Sequence, residues 1–272
     1  MSLFDKPDWL SAAPVNLDEP GYFELWSEYV SDDMTAFEKA LIGGFCADEP
    51  GWIFVAGYQG AIAHTFADEQ FNGWTAFAVS EDRSPTNPSP GLTGRRQADA
   101  FELKGFKTWV ATSRHVRTLI VSFRCADETL FARLAASTPR LSLNHRERPT
   151  MLPDLSQGIA EFDGVEVTGD ALVSTRLVSE FASIESFYVL VSLLACVWRF
   201  QHEADISEQE LVSLLQTARE LQDNLSDVQA INAFKNDCRE LLRQVRQRDL
   251  GQRPKWQRDG KLLAGYARPK PN

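Results

Sequence analysis

The sequence predicts an α+β fold with a helical N-terminal region, a central antiparallel β-barrel or sandwich domain, and a C-terminal helical bundle. Apolar residues recur at helical spacing in the first 72 residues. Short β-branched and aromatic runs separated by Pro, Gly, Asn and Asp follow, and helical spacing then returns. We therefore predict an N-terminal helical region at 1–72, a middle β-domain at 73–177, a helical bundle at 178–250 and a basic tail at 251–272.

Three helices are predicted in the N-terminal region. The first follows Pro20-Gly21 and carries an apolar stripe with spacings of one and three residues: Tyr22, Phe23, Trp26, Tyr29 and Val30. The second is expected over residues 35–45 and ends near two glycines. The third is expected from Trp52 to about Phe66.

Short strand-like runs define the middle region, at 74–79, 100–103, 108–110, 119–123, 141–143 and 158–162. Within residues 101–107, Lys104-Gly105 favours a hairpin turn. Such short strands, broken by turn residues, are typical of an antiparallel barrel or sandwich.

The C-terminal region predicts a bundle built around one buried helix. Residues 187–200 are apolar on almost all sides, and we expect a second subunit to cover part of this helix. Ser207-x-x-Glu210 and Ser226-x-x-Gln229 are both capping-box patterns that open amphipathic helices. The expected assembly is a homo-oligomer or a hetero-oligomer with a related subunit.

Charge limits the classes of partner. The net charge is −10, yet residues 239–272 hold ten Lys/Arg and three Asp/Glu, so this stretch carries +7 and the remainder −17. A strongly acidic body disfavours nucleic-acid binding. The basic stretch could contact an anionic ligand, a partner or the acidic surface of its own chain.

No signal peptide or membrane span is expected. The N-terminus lacks a basic segment followed by an apolar one, and the longest apolar run is broken by Ser192. Four single cysteines and four dispersed histidines indicate reduced thiols and no metal site. We therefore expect a cytoplasmic protein.

Four motifs in order resemble those of the acyl-CoA dehydrogenase superfamily. They are FVAGYQGA at 54–61, VSE at 79–81, LKGFKTWV at 103–110, and FDGVEV with DALV within 162–173. The resemblance covers residues from about 54 to 200. It implies a fold with a helical front, a small β-domain and a helical rear.

The resemblance also implies cofactors and a reaction mechanism. Members of this family bind FAD and acyl-CoA, and a carboxylate removes the proton alpha to the thioester while hydride passes to the flavin. By this resemblance Phe77, Val79 and Ser80 would present backbone and hydroxyl groups to the flavin edge, and Trp109 would be its aromatic wall. Some members place the base on the first rear helix, near Glu185 of this chain. Glu185 could instead be an ordinary acidic residue favoured by the helix dipole.

The sequence departs from the family at several cofactor positions. Residues 82–90 contain prolines where the family has a Gly-rich phosphate segment, and proline removes N–H donors. Ala111 stands where the family has Thr or Ser, and Thr112 would have to shift to compensate. The R-x-x-F-x-x-P-I-x-x-x-Q run that contacts FAD in the family is absent.

Three interpretations therefore remain open. The chain is a relative with a degenerate FAD and acyl-CoA site that serves as a partner subunit or ligand-binding module. Alternatively, it is a divergent active FAD-dependent oxidoreductase with Glu185 as base. In the third interpretation it is an α/β/α protein of unrelated function whose basic tail binds a partner.

Overall fold

The computed structural model of this protein describes residues 8–11, 13–82, 90–147 and 149–269. It divides into two compact units, a helical unit of Met1–Thr65 with Glu180–Asn272 and a β unit of Phe66–Ser179. The β unit is thus inserted between two helical segments that fold together.

The described part of the helical unit contains the six predicted helices, two short additional ones, and a 13-residue helix in the stretch that was predicted to be a basic tail. They are α1 (Glu19–Tyr29), α2 (Ala36–Cys46), α3 (Pro50–Thr65), α4 (Phe181–Arg199), α5 (Gln201–Ala204), α6 (Glu208–Leu221), α7 (Val228–Val245), α8 (Asp249–Gln252) and α9 (Pro254–Tyr266). The basic C-terminal stretch therefore includes α8 and α9, and Trp256 and Leu263 of α9 are buried.

The helix starts follow local hydrogen bonding. Ser207 caps α6 by accepting a hydrogen bond from the Glu210 amide, as its pattern predicts. The predicted cap of α7 at Ser226 is wrong by one residue, because Asp227 accepts from the Ala230 amide. The Ser226 hydroxyl donates instead to the Asn224 side chain at 2.9 Å.

Helix α4 is the core of the helical unit. Every residue from Phe187 to Trp198 is at most 1% exposed, with α2, α3, α6 and α9 packed around it. By length and composition alone, residues 178–199 could also span a membrane, but most of that segment is buried inside the protein. The expectation that a second subunit covers this helix is wrong, because the chain itself does so.

The β unit contains one twisted mixed sheet. Its strands are β1 (Thr75–Ala78), β2 (Thr93–Gln97), β3 (Ala100–Ala111), β4 (Thr118–Cys125), β5 (Glu128–Ala135), β6 (Leu141–His145) and β7 (Gln157–Thr168). The order is β1-β4-β2-β3-β7-β6, and β5 pairs with β4. Antiparallel pairing predominates, as predicted, although β1 and β2 run parallel to β4.

The predicted hairpin turn at Lys104-Gly105 is wrong. Strand β3 continues through these residues, and Ala98-Asp99 forms the turn that joins β2 to β3. Gly105 has a φ of 124°, and a Cβ there would lie 2.3 Å from the Gly91 carbonyl oxygen. The register with β7 shifts between Leu103 and Lys104. The glycine therefore marks a bulge and a close backbone approach.

Candidate functional site

The candidate residues of the β unit lie at the ends of β1 and within β3. The Thr108 amide donates to the Ser80 carbonyl at 2.8 Å, which brings the segment after β1 beside Trp109. Val79 is 39% exposed and Ser80 is also exposed. The structure thus brings three predicted residues, Val79, Ser80 and Trp109, to adjacent strand ends.

Phe77 occupies a different environment from its neighbours. Its ring is only 6% exposed, and it lies 5.4 Å from the Phe66 ring and 6.0 Å from the Phe131 ring between centroids. Its side chain is therefore part of the aromatic core of the β unit. Only the backbone of Phe77 could contribute to a ligand site.

Trp109 is held by a residue that the sequence analysis missed. Its indole N–H donates to Oε1 of Gln157 at 3.1 Å. The Gln157 amide nitrogen donates in turn to the carbonyls of Met151 and Leu152, and the side chain is 5% exposed. Gln157 therefore fixes the orientation of the indole from the neighbouring strand.

Ala111 and Thr112 offer no free hydroxyl at the end of β3. Both residues are fully buried. Thr112 has a φ of 52°, an unusual conformation for a β-branched residue, and its hydroxyl donates to the Ala111 carbonyl at 2.7 Å. Thr112 therefore does not supply the hydroxyl that Ala111 lacks.

An ion pair between a buried lysine and a partly exposed glutamate lies beside these strand ends and was also missed. Lys107 is 1% exposed, and its ammonium contacts Oε1 of Glu81 at 2.6 Å and the Ser122 hydroxyl at 2.9 Å. Burial lowers the pKa of Lys107, an effect that the Glu81 carboxylate opposes. Glu81 also accepts from the Leu92 amide at 3.1 Å.

Glu81 and Leu92 flank the Pro-rich segment in which the sequence analysis found no phosphate-binding glycines. Residues 83–89 of that segment lie outside the described residues. The flanking residues are joined directly by the Glu81 hydrogen bond, so both ends of the segment are fixed.

Glu185 belongs to the helical unit, as the fifth residue of α4. Burial raises the pKa of its carboxyl to about 7, and a hydrogen bond from the Tyr266 hydroxyl opposes part of this rise. The first turn of α4 contains no acidic residue, so the helix dipole does not account for Glu185. A carboxyl group with such a pKa can accept a proton near neutral pH.

Tyr266 belongs to a series of aromatic contacts that joins α9, α3 and α4. Tyr266 of α9 lies 6.4 Å from Phe54 of α3 between ring centroids, and Phe54 lies 5.4 Å from Tyr58. Tyr58 meets Phe181 of α4 edge to face at 6.0 Å. Among the described residues no group of three or more His, Cys, Asp or Glu side chains could hold a metal ion.

No protein-family model matches the sequence, and no curated protein sequence does either. Solved structures do match the fold. FkbI, for biosynthesis of a methoxymalonyl extender unit, has a TM-score of 0.61 at 15% identity, over 95% of this chain and 92% of that one. Glutaryl-CoA dehydrogenase from Mycobacterium smegmatis has a TM-score of 0.63 at 14% identity, over 95% and 84%. FMN-bound TdsC from Paenibacillus sp. A11-2 has a TM-score of 0.63 at 13% identity, over 90% and 83%.

The chain has the acyl-CoA dehydrogenase fold. Within this acyl-CoA dehydrogenase fold, the candidate residues are divided between the units. Val79, Ser80 and Trp109 are in the β unit, and Glu185 is in the helical unit. The residues present fit a flavin incompletely, because they offer an aromatic ring and the Ser80 hydroxyl but no free hydroxyl at Ala111 or Thr112.

Proposed function

We propose that this protein is an acyl-CoA dehydrogenase-like chain with a degenerate flavin site, which binds FAD weakly and performs no hydride chemistry of its own. The observation that carries the proposal is the hydrogen bond from the Thr112 hydroxyl to the Ala111 carbonyl. The hydroxyl of Thr112, the residue that follows Ala111, is thus engaged with its own backbone.

Such a protein would act as a partner subunit or as a ligand-binding module for an acyl thioester. The chain shares its fold with TdsC, which was solved with FMN, and this supports descent from a flavin-binding protein. The exposed Ser80 and the partly exposed Trp109 could still contact a ligand after flavin affinity is lost. The proposed location is the cytoplasm, and the four single cysteines support it.

The visible absorption of the purified protein tests this proposal. We expect a colourless protein that takes up little FAD on titration, measured by equilibrium dialysis. Ala111→Ser restores a hydroxyl and should tighten FAD binding severalfold. The control is Ala160→Ser, which replaces a buried alanine on β7 and should leave FAD binding unchanged. One flavin per chain in the unmodified protein would overturn the proposal.

Native mass measurement tests the partner role. Co-expression with other acyl-CoA dehydrogenase-like chains of the same organism should give a hetero-oligomer that contains this chain. A homodimer under every condition would count against a partner subunit.

A second candidate function is supported by Glu185. A carboxyl group with a pKa of about 7 is suited to removing the acidic proton alpha to a thioester carbonyl. In that case the protein is a divergent oxidoreductase, for which bound flavin would supply the hydride acceptor. Glu185 would perform only the proton transfer.

Proton exchange distinguishes the two candidates without requiring a complete redox reaction. Acyl-CoA incubated with the protein in D₂O should lose its alpha protons if Glu185 is a base, as measured by NMR. Glu185→Gln should abolish the exchange, whereas Glu180→Gln should leave it unchanged. If the unmodified protein gives no exchange with or without added FAD, the second candidate function fails.

A further inference from the structure

A cavity of about 360 Å³ lies in the helical unit, where the segment between α2 and α3 meets the start of α9. The residues around it include Asn16, Asp48, Glu49, Arg253, Lys255 and Trp256. Its volume is at the lower end of the range for small-molecule sites in proteins. None of the candidate site residues described above lines this cavity, so it is a separate feature of the molecule.

One carboxylate at this cavity has an oxygen without a hydrogen-bond donor. Asp48 is 4% exposed, and its Oδ2 accepts from the Asn16 amide. Its Oδ1 is buried, and no donor of the described residues bonds to it. A buried carboxylate oxygen without a partner costs free energy, so a donor from outside the chain would be stabilising there. Asp48 therefore provides a free acceptor at the cavity wall.

The two basic residues of the cavity are already paired with other carboxylates. Lys255 forms an ion pair with Glu49, which is 3% exposed. The Arg253 guanidinium donates to both oxygens of Glu203, at 2.7 Å each. Their positive charges are therefore balanced by these glutamates, whereas Asp48 forms no ion pair with a described residue.

Two structural explanations of Asp48 are incomplete. Arg199 interacts with it electrostatically, but the guanidinium donates to four backbone carbonyls, those of Ala13, Pro14, Phe45 and Cys46. Asp48 also precedes α3, where the helix dipole favours acidic residues. Among the described amides, however, its carboxylate accepts from Asn16 and from none of α3, so helix capping does not account for it.

We propose that this cavity binds a small organic amine, whose ammonium group donates to Oδ1 of Asp48 and whose carbon chain contacts Trp256. An ammonium supplies both the hydrogen-bond donor and the positive charge. A metal ion fits less well, because Glu49 is held by Lys255 and the described part of the chain contains no group of three or more side chains suited to a metal. The proposal is independent of both candidate functions.

Titration calorimetry with n-butylamine and putrescine tests the proposal. We expect saturable binding of one amine per chain, and 1-butanol, which has the same chain length without the charge, should not bind. Asp48→Asn keeps the side-chain shape and an acceptor for the Asn16 amide, and it should weaken amine binding by about tenfold. Glu24→Gln is the control, because it removes an exposed negative charge from the same unit and should leave binding unchanged.

Two results of this titration would overturn the proposal. One is that neither amine binds saturably. The other is that Asp48→Asn and Glu24→Gln weaken binding equally, because the amines would then respond only to the negative charge of the surface.

A second measurement covers the case in which Asp48→Asn does not fold. The Trp256 indole N–H donates to the Asp48 carbonyl at 3.1 Å, so its ¹⁵N resonance reports on this cavity. In unmodified protein, n-butylamine should shift that resonance and leave the indole resonance of Trp74, in the β unit, unchanged. Trp256→Phe and Trp74→Phe assign the two signals. If the Trp256 resonance does not move, or if both move equally, the proposal is wrong.

Discussion

Gly57 of α3 lies directly against the backbone of Val189 of α4. A Cβ on Gly57 would lie 2.3 Å from Val189 Cα and 2.5 Å from its amide nitrogen. Both atoms belong to the backbone, so no side-chain rotation could relieve the contact. The glycine therefore sets how closely these two helices approach.

Gly57→Ala should consequently destabilise the protein by about 3 kcal/mol, at the upper end of overpacking effects. Gly260→Ala on α9 is the matched control, because nothing lies within 4 Å of a Cβ there. The control should raise stability by about 0.5–1 kcal/mol. Urea unfolding followed by circular dichroism measures both changes, and equal effects would contradict the packing argument.

Glu185→Gln should stabilise the protein above neutral pH. The folded pKa of about 7 exceeds the ordinary value of 4.5, so the folded state holds a proton that the unfolded state releases between these values. Ionisation of Glu185 therefore costs stability as pH rises from 4.5 to 7. The gain from Gln should approach about 3 kcal/mol at pH 8 and vanish near pH 4. Urea unfolding at the two pH values checks this, with Glu180→Gln as the control.

Glu81→Gln should destabilise the β unit by about 2–3 kcal/mol, because it leaves the buried Lys107 ammonium without its carboxylate. The folded pKa of Lys107 already lies below its unfolded value. Loss of Glu81 lowers this pKa further, so the stability loss should shrink at alkaline pH, where Lys107 releases its proton.

Glu102→Gln provides a comparison in the same unit. Glu102 pairs with the exposed Arg95 and Lys104 side chains on the sheet surface. Its loss should affect urea unfolding far less than the loss of Glu81. Equal losses would mean that the burial of Lys107 has no energetic role.

Gln157→Glu should destabilise the β unit by about 2–3 kcal/mol at neutral pH, since a carboxylate would face two backbone carbonyls without a proton to donate. The loss should be smaller at pH 4, where a protonated carboxyl group can donate to one of them. Unfolding at both pH values measures the difference. Gln157→Met lacks both the donors and the charge, so its loss should not depend on pH.

Local sequence patterns predicted most of the fold. Phe54, Tyr58 and Ile62 are spaced four residues apart. This spacing predicts a helix from neighbouring positions alone, and α3 forms there. The error at Gly105 arose because a glycine within a strand and a glycine at a turn give the same local signal, and only the approach of Gly91 distinguishes them.

The candidate site could be predicted only in part. Trp109, Ser80 and Glu185 followed from motif resemblance. Their supporting residues did not, because Gln157 lies 48 positions from Trp109 and Lys107 lies 26 from Glu81. Such pairs depend on strand register and helix crossing, which local patterns do not encode. Tyr266 was not predicted either, because it lies in the stretch of basic residues that was interpreted as a tail.

The insertion of the β unit between α3 and α4 has a consequence for synthesis on the ribosome. Helices α2 and α3 emerge early, but α4, which covers their apolar faces, follows only after residues 66–179. At ordinary translation rates this interval lasts on the order of 10 s. The nascent helical hairpin must therefore remain without its main packing partner while the entire β unit is made. Rare codons or slow elongation within the β unit would lengthen that interval and increase the demand for chaperones.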